Sequence, residues 1–191
     1  IGFDTMVVMK NKVMDRLISD LKQQWSDHKD VMVTIPRLWN KVNNPLVHET
    51  FYGTIQVNPY QHLLYTIDAL MDQTTSSLST SILKKPGEGA QWIKDAVVYS
   101  TQIRSTAAYD LDQDGYISTT NIHGLNEAGT FIKMIWLLPH LIHIGVDTLY
   151  FLPFFKHSVR NKKGDCGSSY AISCYTKLDE TLYDPMVPSL P

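Results

Sequence analysis

The residues best suited to chemistry lie in one short polar segment, Asp110-Leu111-Asp112-Gln113-Asp114-Gly115-Tyr116-Ile117-Ser118. Three carboxylates at alternate positions direct their oxygens toward one point. The glycine that follows permits a sharp turn, and the residue after it can add its backbone carbonyl. This pattern suits a hard, oxygen-seeking cation, with Asp110, Asp112, Asp114 and the Tyr116 carbonyl as the expected ligands. An EF-hand is the lesser reading, since its twelfth position is a bidentate Glu and Asn121 stands there. The bland reading of the same residues is an acidic turn without metal.

Other candidate groups are weaker. His140 and His143 lie one turn apart and are expected to flank packing or solvent. His123 and His157 fall on loops and are kept as possible substrate contacts. Trp25, Trp39, Trp92 and Trp136 read as core anchors. The two cysteines, Cys166 and Cys174, are too few for a disulfide framework and show no zinc spacing.

The elements that must position these residues follow from periodicity and breakers. Met14, Leu17, Leu21 and Trp25 recur at helical spacing. Val31 to Ile35 and Phe51 to Val57 are short β-prone runs. Asn58-Pro59 is a helix start, with Leu63, Leu64, Ile67, Leu70 and Met71 as its apolar face. A polar stretch from Thr74 to Ser81 and the breaker Lys84-Lys85-Pro86-Gly87-Glu88-Gly89 place a boundary there. The expected division is a mainly helical accessory region over 1–89 and a second unit over 90–191.

In the second unit, Ala96 to Ile103 predicts a mostly buried strand. Thr130 to Ile144 predicts a helix with Phe131, Ile135, Leu138 and Ile142 on one face, kinked at Pro139 and ended by Gly145, and Val146 to Leu152 a second strand stopped by Pro153. Strand, helix, strand is a βαβ unit with parallel strands and a right-handed crossover. Both long loops, Arg104 to Gly129 and Phe154 onward, follow strands and so share one face. The tail after Pro153 is polar and shows little periodicity.

Composition bounds the function. The chain has 191 residues, a net charge of −2 and 43% apolar residues. The one basic run, Arg160-Asn161-Lys162-Lys163, is not joined by a broad cationic face, so nucleic acid is not expected as a partner. No apolar stretch reaches the roughly 20 residues of a membrane span. The chain begins at Ile1 rather than Met and shows no signal-peptide pattern, so a native start upstream is expected and localisation is left open.

The second unit resembles the alpha-amylase family, glycoside hydrolase family 13. Gly145-Val146-Asp147-Thr148-Leu149-Tyr150-Phe151-Leu152-Pro153 is similar to that family's second barrel strand. Gly164-Asp165-Cys166-Gly167-Ser168-Ser169-Tyr170-Ala171-Ile172-Ser173-Cys174-Tyr175 is similar to the loop that follows it. Val98-Tyr99 to Arg104 resembles the first strand, Asp110 to Gly115 the calcium loop of many members, and Asp179 to Pro185 the lead into the second helix. The likeness spans about Trp92 to Pro185.

The resemblance implies an α/β fold in which this chain is the first βαβ portion of a (β/α)8 barrel, preceded by a mainly helical N-terminal region. A full barrel typically takes about 250 residues. It implies a retaining hydrolase or glucanotransferase acting on an α-glucan or oligosaccharide. The nucleophile and general acid, about 5–5.5 Å apart in such enzymes, are implied to come from later strands outside this chain. Tyr170 takes the position of the tyrosine that stacks under the sugar beside the scissile bond. Asp165 would accept sugar hydroxyls, and Asp110, Asp112, Asp114 and Tyr116 would hold a structural calcium. Departures from the pattern are Ser118 for a further Asp ligand, Ser169 for a frequent Pro, and Ala171 and Cys174 for common Asp residues. The alternative is a calcium- or glycan-binding module without catalysis. Oligomeric state is left open.

Overall fold

The structure, a computed structural model, describes residues 3–40, 53–77, 91–164 and 167–188. The Lys84–Gly89 breaker, Asp165, Cys166 and the Trp92 side chain lie outside the described residues. The chain runs α1 (Phe3–Asp27), β1 (Val33–Pro36), a 3₁₀ turn (Arg37–Asn40), β2 (Thr54–Val57) and α2 (Pro59–Ser77). A second 3₁₀ turn (Gln91–Lys94) leads to β3 (Val98–Thr101), the one-turn α3 (Ile103–Thr106) and α4 (Phe131–His143). Then come β4 (Thr148–Phe151), β5 (Phe155–His157), β6 (Ile172–Leu178) and a 3₁₀ turn (Glu180–Leu182). The fold is mixed α/β, and no helix among the described residues is long and apolar enough to cross a membrane.

Local chemistry sets the helix ends. Asn58 caps α2: its Oδ1 accepts from Gln61 N at 3.1 Å. Its amide donates to the carbonyls of His28 (2.9 Å), Lys29 (3.3 Å) and Val31 (3.0 Å), fixing α2 to the turn after α1. Thr130 caps α4 by accepting from Lys133 N. At the other end Gly145 has φ +88°, its N–H donates to Ile142 O, and Val146 N–H donates to Leu141 O. These two reversed bonds satisfy carbonyls the helix leaves open, and the positive φ favours glycine. Pro139 sits inside α4, which extends from Phe131 to His143.

β3 and β4 pair in parallel, Val98 opposite Thr148 and Thr101 opposite Phe151, with α4 as the crossover between them. Asp147 fixes the start of the pair, its Oδ1 accepting from Val97 N at 3.1 Å. The strands are shorter than expected, and β3 is not mostly buried: Val98 is 52% exposed. The reason is that α4 covers one face of the pair, where Tyr99, Leu149 and Phe151 join the core, while Val98 and Tyr150 are exposed. The segment after Pro153 also departs from the expectation of an irregular tail. β5 and β6 form an antiparallel pair with two register shifts. Three residues of β5 and a partner interrupted by irregularities carry too little alternation to be seen in the sequence.

The first region is helical with one antiparallel pair, β1–β2. Its core is continuous with that of the second. Trp136 of α4 is fully buried. Its ring lies 5.8 Å from Trp39 and 5.8 Å, edge-on, from His62. Of the expected core tryptophans, Trp39 and Trp136 are buried and Trp25 packs at the margin.

His62 is the sensitive point of that junction. Its Nε2 pairs with Asn40 Oδ1 at 2.9 Å, and burial pushes the imidazole down to about 4. The unfolded chain therefore takes up a proton as pH falls from the ordinary 6.5 toward about 4, while the folded chain does not. Stability present above that window drains through it. In urea titrations the wild type should lose on the order of 2–3 kcal/mol more than His62→Gln across the window. Parallel stability–pH curves for the two proteins would refute this.

Candidate functional site

The long segment between α3 and α4 has no regular structure, so its backbone N–H groups need side-chain acceptors. Its carboxylates supply them. Asp110 accepts from Asp114 N (3.1 Å) and Gly115 N (2.8 Å). Asp112 accepts from Asp114 N (3.3 Å) and Ile122 N (3.3 Å). Asp114 accepts from Tyr116 N at 2.8 Å. Gly115 has φ +92°, the left-handed conformation expected of it, and Gln113 joins it at φ +62°. The three aspartates are brought together, and ligand atoms of Asp110, Asp112, Asp114 and Glu127 all lie within 4.8 Å of one another.

Glu127 was not visible as part of this group in the sequence. It lies thirteen positions beyond Asp114, and the only signal is that no other carboxylate stands between Asp114 and Asp147. Its side chain is fully buried. Oε1 accepts from Leu111 N (2.8 Å), Asp112 N (3.3 Å) and Asn121 Nδ2 (3.2 Å). Oε2 accepts from Ser118 N (3.0 Å) and Ser118 Oγ (2.8 Å). Burial pushes its carboxyl up, but the bonds from Ser118, Asn121 and Leu111 outweigh that and hold it below its ordinary value. Ser118 and Asn121, the departures from two metal-loop patterns, are thus engaged with Glu127. Asn121 Oδ1 also accepts from His123 N and Leu125 N.

The loop is fastened on three sides. Thr34 of β1 donates to Leu111 O at 2.8 Å. Gly129 packs so tightly on α3 that an added Cβ would stand 1.9 Å from Ile103 O, and its N–H donates to Arg104 O at 2.8 Å. Lys133, 1% exposed, donates to Ala128 O at 2.7 Å. Burial pushes this lysine down to about 8 against the opposing charges of Asp184 and Glu127. Thr130 Oγ1 donates to Asp184 Oδ2 at 2.5 Å, and Asn126 Nδ2 donates to Thr181 O at 3.3 Å. The loop before α4 and the 179–184 segment are therefore one hydrogen-bonded unit.

Between this loop and the β5–β6 pair lies a cleft of about 710 Å³. Gln102, Arg104 and Ile117 line one side; Lys156, His157 and Thr181 are on its wall. Both post-strand segments thus contribute walls to one cleft. His157 Nδ1 and Asp179 Oδ2 are 2.6 Å apart, both side chains 10% exposed. Burial pushes the Asp179 carboxyl up, but the Thr181 hydroxyl and amide and His157 outweigh it and hold it below its ordinary value. Lys156 and Glu180 form a surface bridge at 2.9 Å.

Tyr170 is 66% exposed, in the turn that opens β6, and is not among the residues lining the cleft. Ser169 beside it is buried and accepts from Gln102 Nε2 at 3.3 Å. His143 is exposed, as expected.

No family model matches the chain. Over 81 residues it is 35% identical to a trehalose synthase from Thermus thermophilus, a stretch covering 42% of this chain and 7% of that protein. The chain thus spans a small part of the length of the curated relative it matches.

The five donors on Glu127 give a direct test of the loop. In Glu127→Gln the amide NH₂ must face either the Oε1 or the Oε2 donor set, setting at least one backbone N–H against it. The variant should lose about 1–3 kcal/mol of stability, read as a lower urea midpoint. A midpoint unchanged from wild type would show that the carboxylate does not hold the loop.

Proposed function

We propose that this chain forms the opening of the catalytic (β/α)8 barrel of an alpha-amylase-family enzyme. The full-length protein would hydrolyse or transfer α-glucosidic bonds of an α-glucan or oligosaccharide. The observation that carries this reading is the parallel β3–β4 pair joined by α4, with the loops after both strands meeting on one cleft. In such barrels the loops after the strands build the active site. The partial match to a trehalose synthase, an alpha-amylase-family enzyme, supports the same relationship.

On this reading the chain binds and positions, and it contributes no bond-breaking carboxylate. Those would come from later strands outside these residues, acting through a covalent glycosyl-enzyme intermediate. Tyr170 would stack its exposed ring on a pyranose, burying C–H surface. Asp165 would accept sugar hydroxyls. A calcium ion would fit Asp110, Asp112, Asp114 and the Tyr116 carbonyl, because three carboxylates already converge within bonding reach of a common point. Glu127, with both oxygens engaged by loop donors, would support that group from behind. The ion would lend the loop charge neutralisation and rigidity.

Two measurements test the reading. Calcium should raise the melting temperature, corresponding to about 2.7 kcal/mol at a hundredfold excess over Kd, and Asp112→Asn with Asp114→Asn should abolish the response. A melting temperature indifferent to calcium would remove the metal from the account. In the full-length protein, products from an α-glucan should retain the anomeric configuration. There Tyr170→Ala should raise KM about two- to tenfold, with Tyr170→Phe close to wild type. Inverted products, or an alanine variant with unchanged KM, would count against the mechanism and the stacking role respectively.

A further inference from the structure

The His157–Asp179 pair lies in the cleft; the resemblance reaches Asp179 only as part of the lead into the second helix and assigns neither side chain a role. Asp179 Oδ1 accepts from Thr181 N at 3.0 Å and Thr181 Oγ1 at 2.8 Å, and Oδ2 faces His157 Nδ1 at 2.6 Å. The Thr181 bonds and His157 hold the carboxyl below its ordinary value, so it is ionised at neutral pH and can only accept, which makes Nδ1 of the ring the donor. A neutral imidazole with its proton on Nδ1 has Nε2 as a pure acceptor.

Nε2 has no hydrogen-bond partner among the described residues. Gly167 lies beside the ring edge that carries it. A Cβ there would lie 3.5 Å from Cδ2 and 3.7 Å from Nε2, and φ is +62°. The same cleft holds three cations, Arg104, Lys156 and Lys162, against two carboxylates, Asp179 and Glu180. Lys156 is neutralised by Glu180, and Arg104 and Lys162 have interactions of their own. An uncharged acceptor in a wall that also presents Ile117, Ala128 and Val159 suits a ligand with hydroxyl donors and apolar C–H faces.

We propose that His157, its tautomer set by Asp179, is a fixed hydrogen-bond acceptor for a hydroxyl of a neutral saccharide in the cleft. The proposal rests on reading the cleft as a saccharide site. Asp179 is a positioning residue within it, and Thr181 keeps the carboxylate from turning.

Long-range ¹H–¹⁵N NMR of the full chain at neutral pH, with maltose as the probe, tests it. The expected result is the Nδ1–H tautomer of His157 and movement of its Nε2 resonance as maltose is added. His157→Ala should raise the maltose Kd about three- to tenfold. In Asp179→Asn the Thr181 donors hold the amide oxygen and turn its NH₂ toward Nδ1, so the ring should invert to Nε2–H and binding should weaken similarly. This second variant keeps the test open should His157→Ala fail to fold. An imidazolium or Nε2–H ring in the wild type overturns the proposal. So does an Nε2 indifferent to maltose while the Gln102 or Thr181 resonances move, which leaves the saccharide reading standing. If no cleft resonance responds, both fall.

Discussion

The buried Glu127 carboxylate is the contact on which the site depends. The segment from Ala107 to Gly129 crosses the molecule without helix or strand, and its N–H groups have no ladder to join. Glu127 takes donors from Leu111, Asp112, Ser118 and Asn121, drawing the two ends of the segment onto one group. A buried anion is costly unless its oxygens are satisfied, and here the donors that satisfy it are those of the loop it shapes. The aspartates at Asp110, Asp112 and Asp114 then close the tip in the same way, accepting N–H groups of their own turn.

What that loop rests on comes from the other region of the chain. β1 bonds to it through Thr34 and Leu111, and Trp39 lies edge-on to Tyr109 at 5.7 Å while also meeting Trp136. α2 and the Arg37–Asn40 turn thus pack on α4, and α1 packs on α2. In that arrangement α4 is covered on both sides, and its buried Trp136, Leu137 and Met134 belong to one core with Leu21, Ile35 and Leu63. Ordering of the loop and docking of the N-terminal region are consequently coupled through shared side chains rather than through a linker.

The cleft inherits its shape from these constraints. Gly129 holds α3 against the end of the loop, Asn126 and Thr130 hold the 179–184 segment, and Asp179 holds β5 through His157. Each wall is anchored by a polar contact to an element that α4 supports. The uncovered side of β3 and β4, with Val98 and Tyr150 exposed, is what a barrel would fill with further strands. That is the physical content of the barrel reading.

The sequence by itself determined the features that are local. Asn58 as a cap, Gly145 as a stop, the sharp turn at Gly115 and the apolar faces of α1 and α2 depend on neighbours within a few residues, so their chemistry is written in order along the chain. The face of α4 is not: the expected Phe131, Ile135, Leu138 and Ile142 are part-buried or exposed, while Met134, Trp136, Leu137 and Leu141 are buried. The parallel pairing of β3 and β4 was legible for the same reason, since a crossover of that length dictates it. Only the tertiary structure decided the long-range partners: Glu127 with Leu111 and Ser118, Lys133 near Asp184, His157 with Asp179, and Trp39 against Trp136. It also decided the β5–β6 pair, whose few residues and register shifts leave no period to read. Such contacts join groups many positions apart through burial and hydrogen-bond satisfaction. Spacing along the chain carries no signal of either until the backbone has brought them together.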